Sequence, residues 1–209
     1  MEGVCKEETM KMNRKNTQMR QKQIIEAAQR LIFKYGSEHL TVKRISAEVG
    51  ISEAAIYRHF KSKKSILSFL VSHIENILLT DISRADSADK EVTLEIIEST
   101  IRNHFSTIDI RKGMVFQVIA EIISLGDKSL NKKTSLMIGN YVSKLKELLA
   151  QGVESGHVRK DIDLEATAIL LFGMIQSLVN IWALNGCNFN LIEKYSSLWN
   201  VFRESIVRR

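Results

Sequence analysis

Between residues 41 and 64 the chain gathers side chains that donate hydrogen bonds to anions: Lys43, Arg44, Tyr57, Arg58, His59, Lys61, Lys63 and Lys64. Ammonium and guanidinium groups bond phosphate oxygens, and their long stems reach guanine O6 and N7, a pattern that only the major groove of DNA presents. What positions these groups is local. Thr41 and Ser52 each stand where a hydroxyl would accept from the free N–H groups of a short helix. Gly50, between them, sits where the first helix must stop and the chain turn through positive φ. Ile45, Val49, Ile51, Ile56 and Phe60 supply the apolar seam that holds the pair together. A compact helix-turn-helix with a basic, aromatic outer face suits insertion of a helix into the major groove.

Charge points the same way. Residues 1–65 hold 14 Lys/Arg against 7 Asp/Glu, whereas residues 66–209 hold 16 against 17, so the first third carries all of the net +6. A basic excess confined to one segment marks a polyanion-binding surface, because neutralising phosphates releases condensed counterions. A merely solvated lysine-rich face is the alternative for a charge run alone, and the helix-turn-helix spacing argues against it.

The stretch from Thr41 to Ser52, T-V-x-x-I-S-x-x-x-G-I-S, and that from Ile56 to Leu67, I-Y-x-H-F-x-S-K-x-x-L, resemble the DNA-binding signature of the TetR family of bacterial transcriptional regulators. The pattern covers Gln18 to Leu67, and the remainder carries no motif of its own. The resemblance implies an all-α fold of about nine helices, with a three-helix DNA-binding domain followed by a helical regulatory and dimerisation bundle. The expected boundaries are a flexible arm at 1–14, the DNA-binding domain at 15–65 and the ligand-binding and dimerisation domain at 66–209.

Carried over residue by residue, the resemblance implies that Thr41 bonds a phosphate and Lys43 reaches a guanine edge or an adjacent phosphate. Ser52, Glu53, Ala54 and Ala55 open the recognition helix. There the alanine methyls suit thymine methyls, and Glu53 either accepts from cytosine N4 or only favours the helix dipole. Tyr57, His59 and Lys63 match phosphate-bonding positions. Arg58 is open between base and phosphate, Arg44 between a surface charge and a DNA contact, and Lys61 joins the basic face. Lys11, Arg14 and Lys15 are either a solvated tail or a DNA-reaching arm.

Zero prolines, against about ten at average usage, accord with a helical chain. Periodicity places the first helix at about 15–35, a fourth from Ser62 that leaves the small domain and enters the large one, and a break at Ala85–Ser87. Further helices are expected at about 90–106, 113–125, 128–154, 164–184 and 191–207. Residues 164–184 are apolar nearly all round, long enough for a membrane span. Glu165, Thr167, Gln176, Ser177 and Asn180, and the lack of a flanking basic cluster, favour instead a helix that buries two faces. Together with the last helix this suggests a four-helix homodimer interface built from Leu170, Leu171, Leu178, Leu191, Tyr195, Leu198, Trp199 and Phe202; packing within the chain is the alternative.

The functional expectation is a homodimeric repressor bound to a palindromic double-stranded operator and released by a small, apolar effector such as an acyl chain, an aromatic or a drug. Candidate pocket walls are Phe105, Met114, Phe116, Met137, Tyr141, Phe172, Met174 and Trp182, with Gln176 and Asn180 as polar hooks; plain core is the commoner role for each apolar one. A second class of reading is a DNA-binding nucleoid-occlusion or chromosome-organising protein acting on a protein partner, since the string from Ala47 to Phe60 resembles those members too. No phosphate-cradling glycine loop or metal-spaced His/Cys cluster appears, so no enzyme, cofactor or metal is expected. The two cysteines, Cys5 and Cys187, and a start without an apolar stretch suit a reducing cytoplasm, at the nucleoid. His73 and His104 are the two histidines that could meet in the fold.

Overall fold

The computed structural model describes residues 2–83 and 91–207, with side chains from residue 15 onward. Among these residues there are nine helices: α1 Glu2–Tyr35, α2 Val42–Val49, α3 Glu53–Tyr57, α4 Lys63–Ser83, α5 Leu94–Ile110, α6 Met114–Ser124, α7 Lys128–Glu154, α8 Leu164–Leu184 and α9 Leu191–Ile206. The only β-type pairing among them is an isolated antiparallel bridge, Val158 with Val207.

The helix ends follow side-chain chemistry. Asp127, Asp163 and Asn190 cap α7, α8 and α9 by accepting from N–H groups of the first turn, and these three helices start where periodicity places them. Two elements differ. Helix α1 begins at Glu2 instead of about residue 15, so the segment expected as a flexible arm is drawn into it; residues 2–14 are rich in Glu, Lys and Met, good helix formers, and lack proline. Helix α5 runs from Leu94 to Ile110 because Thr93 accepts from Ile96 N–H at its start and the turn at Lys112 (φ 51°) and Gly113 (φ 66°) closes it. The break expected at Ala85–Ser87 lies outside the described residues.

Helices α1–α3 form a head and α5–α9 a body, with α4 packed against α1 at one end and against α5 and α7 along the rest. Its stripe of Leu67, Leu70, Val71, Ile74 and Leu78 is buried, and one continuous core runs from Ile24 on α1 to Ile206 on α9. Helices α4 and α8 are long and apolar enough to span a bilayer by length and composition. In the fold, the stripe of α4 is enclosed, and α8 packs Leu171, Ile175, Leu178 and Trp182 inward.

Candidate nucleic-acid interface and its coupling to the body

The two caps expected in the head are made. Thr41 Oγ1 accepts from Arg44 N–H at 3.1 Å and Ser52 Oγ from Ala55 N–H at 3.2 Å. Gly50 takes φ 74° and its N–H bonds back to Ala47 and Ser46 carbonyls. Ser62 and Ser65 cap each other reciprocally at the start of α4, each hydroxyl accepting from the other's N–H. Ile45, Ile56 and Phe60 are buried against α1 and α4. With the seam turned inward, Thr41, Lys43, Arg44, Ser52, Glu53, Ala54, Tyr57, Arg58 and Lys61 are all exposed, Tyr57 by 52%, while Ala55 and His59 are half-buried.

Two of the basic side chains bond backbone carbonyls of the chain itself. Arg44 stacks over the Tyr35 ring, its guanidinium carbon 5.4 Å from the centroid, and donates to the His39 carbonyl at 3.3 Å, which favours the surface-charge reading. Lys63 is half-buried and its Nζ donates to the Ser37 carbonyl at 3.1 Å. It therefore ties α4 to the turn after α1, where the sequence pattern expects a free phosphate ligand.

Ser37 is a junction that local sequence does not reveal. It is fully buried, and its N–H and hydroxyl both donate to Glu121 Oε2 of α6, at 2.8 and 2.9 Å. A second body-to-head tie joins Lys64 Nζ to Asp127 Oδ2 at 2.8 Å. The Lys64 ammonium, then the N–H of Leu130 and the Ser129 hydroxyl, hold the Asp127 carboxyl far below the usual carboxylate range. Farther along, Lys133 donates to Ser68 of α4 at 3.0 Å. The head is thus anchored to the body through α4 itself, through α6 and through the start of α7.

At the other end α4 enters a buried polar group. Tyr141 Oη and His104 Nε2 lie 2.8 Å apart; His104 Nδ1 faces Asp81 Oδ2 at 3.5 Å, and Arg111 reaches the same oxygen at 3.3 Å. Asp81, His104 and Tyr141 come from α4, α5 and α7 and are at most 5% exposed. Burial, with the Asp81 carboxylate adding to it, pushes the Tyr141 phenol well above its ordinary value. His104 thus meets Tyr141 and Asp81, where the sequence suggests His73.

Of the expected pocket walls, Phe105, Phe116, Met137, Tyr141 and Trp182 are packed core, and Met114, Phe172 and Met174 are half-buried beside it. The two expected polar hooks bond each other. Asn180 is exposed and accepts from Gln176 at 2.9 Å, and it lines a cleft of about 440 Å³ between α1, α6 and α8 with Phe33, Glu121 and Leu184. The expected dimer surface needs a similar correction. Leu171, Leu178, Leu191, Tyr195, Trp199 and Phe202 face the chain's own core and Leu198 is half-buried, which leaves Leu170 exposed. The open apolar face of α8 is Ile169, Leu170, Ile181 and Leu184, with Val201 of α9 also exposed. On a helix apolar all round, periodicity cannot tell which stripe turns inward. Among the described residues no group of three or more His, Cys, Asp or Glu could hold a metal ion.

Comparison with known proteins bears on both halves. The family model of bacterial regulatory proteins, tetR family, matches residues 24–68, and that of the YsiA-like protein C-terminal region matches residues 72–204. The chain belongs to the TetR family. It is a DNA-binding transcriptional regulator. A fatty acid metabolism regulator protein of Bacillus subtilis is 26% identical over 178 residues, covering 84% of this chain and 90% of that protein. The solved structure of a transcriptional regulator FadR from Bacillus subtilis in complex with stearoyl-CoA superposes with a TM-score of 0.73 at 25% identity, covering 87% of this chain and 95% of that one. The nucleoid occlusion factor SlmA of Vibrio atlanticus is 23% identical over 90% of this chain and 95% of its own length.

Proposed function

We propose that this TetR-family chain is a homodimeric repressor that binds a palindromic operator in the cytoplasm, at the nucleoid, and is released by a long-chain acyl-CoA. The observation that carries the reading is the exposed α2–α3 face mounted on α4, a helix whose other end holds Asp81 among the buried groups of the body. The stearoyl-CoA bound by the similar Bacillus subtilis protein supports the effector class, as do the half-buried Met114, Phe172 and Met174 beside an aromatic core. The open face of α8 supports pairing through Ile169, Leu170, Ile181 and Leu184.

In this reading Lys43 and the first turn of α3 read base edges, while Thr41, Tyr57, Arg58, His59 and Lys61 fix register on the phosphates. Two recognition helices enter successive major grooves when held about 34–36 Å apart. An acyl chain entering the body parts Phe105, Phe116 and Tyr141, disturbs the Tyr141–His104–Asp81 contacts and so moves α4, while α6 carries the strain to Ser37. Release requires that the effector bind the DNA-incompetent arrangement more tightly, by about 1–3 kcal/mol for a typical coupling.

Genome-wide capture of DNA bound by the purified protein tests this, repeated with stearoyl-CoA and with Tyr57→Phe/Lys43→Ala. The expected result is a few palindromic sites near metabolic genes, lost in the double variant and emptied by the acyl-CoA. Dozens of dispersed sites insensitive to acyl-CoA would replace it with the chromosome-organising reading, which the similarity to the nucleoid occlusion factor favours.

A further inference from the structure

Beside the recognition helix lies a second cleft, of about 430 Å³, lined by Asn16, Thr17, Met19, Arg20 and Gln23 of α1 and by His59. Asn16, Arg20 and Gln23 are spaced i, i+4 and i+7, so they form one stripe on α1. His59 follows α3 by two residues, which places the cleft at the exit of the helix that reads the groove. Among the described residues its lining is almost wholly of hydrogen-bond donors: two amides, a hydroxyl, a guanidinium and an imidazole, with Met19 the one apolar member and no carboxylate. Arg20 is half-buried, and among the described residues it has no ion pair or side-chain hydrogen bond. A half-buried guanidinium beside neutral donors suits an anion that arrives from outside.

We infer that this cleft is a DNA phosphate site. Arg20 supplies the charge and Asn16, Thr17, Gln23 and His59 the directed hydrogen bonds, so the interface extends from α2–α3 onto α1. The inference rests on the DNA-binding reading above and adds a contact that fixes position without choosing sequence.

The test is binding of a fragment recovered in the capture experiment, and of a mixed-sequence duplex of equal length, across a salt series, with wild type, Arg20→Ala, Arg20→Lys and the isosteric Gln23→Glu. Loss of one phosphate contact reduces the slope of log affinity against log salt by about one. The advantage of wild type over Arg20→Ala therefore shrinks about fourfold between 50 and 200 mM salt. The two DNAs should be weakened by the same factor, Arg20→Lys should keep the slope, and Gln23→Glu should weaken both DNAs while the circular dichroism spectrum and Tm stay unchanged. An unchanged slope and affinity in Arg20→Ala, with Lys43→Ala still weakening binding, would overturn the α1 site and leave the DNA-binding reading standing. A weakening confined to the captured fragment would show a role in sequence choice and also overturn it. Wild-type protein that binds neither DNA would overturn both readings.

Discussion

The head and the body are built by different means. In the head, the two short helices α2 and α3 are set by single residues at fixed positions: a hydroxyl at each N-cap, a glycine at φ 74° and a thin seam of Ile45, Ile56 and Phe60. In the body, long helices are set by the mass of side chain they enclose, with Trp182, Trp199, Tyr141, Tyr195 and Phe105 all at most 1% exposed. A head made this way presents its polar residues with little redundancy, so surface changes alter what it binds. A body made this way tolerates surface change and responds to volume.

Breaking this contrast should begin in the body. Phe105→Ala, which empties a site stacked 4.7 Å from the Tyr195 ring, is expected to cost about 3–5 kcal/mol in urea unfolding. Tyr141→Phe leaves His104 Nε2 without its partner and should cost about 1–3 kcal/mol, with a raised effector threshold if the trio transmits the signal; an unchanged threshold would confine it to stability. In the head, Gly50→Ala meets no neighbour within 4 Å, so its cost is that of an L-residue at positive φ, about 1–2 kcal/mol. Ser52→Ala removes one cap and should cost about 1 kcal/mol, lowering Tm and DNA affinity together. Smallest in stability is Tyr57→Phe, within about 0.5 kcal/mol of wild type. Yet it should weaken operator binding in a mobility-shift titration, and equal binding would remove Tyr57 from the interface.

The same contrast decides what could be read from the sequence. Caps, the turn glycine and the outward set from Thr41 to Lys61 depend on neighbours three or four residues away, and the structure bears out the caps and their exposure. Helices α7 and α8 are legible in the sequence because their apolar periodicity is long, and the caps Asp127 and Asp163 fix their starts in the structure. The trio of Asp81, His104 and Tyr141 was not, since its members lie on three helices and meet only through packing. Nor was the Ser37–Glu121 pair, 84 positions apart. For α8 the sequence showed that two faces were apolar and left open which would be enclosed; Leu171 and Leu178 went inward while Ile169, Leu170 and Ile181 stayed out. Arg20 and its neighbours on α1 carry no signal in the sequence, because a polar stripe on an amphipathic helix reads as solvated unless something faces it.

The Ser37 junction bears on dose and timing. One residue there is gripped from two sides, its N–H by a carboxylate of the body and its carbonyl by an ammonium of α4. Hydrogen bonds to charged groups contribute about 1.5–3 kcal/mol each, so swinging the head away from this arrangement means giving up such a grip whole. Partial occupancy of the body by an effector would then accumulate without visible escape from DNA until the junction lets go. Sensitivity of the genetic response would be tuned at Glu121 and Lys63, apart from both the operator-reading residues and the core, and a lineage could reset its threshold there without relearning either its promoter or its metabolite.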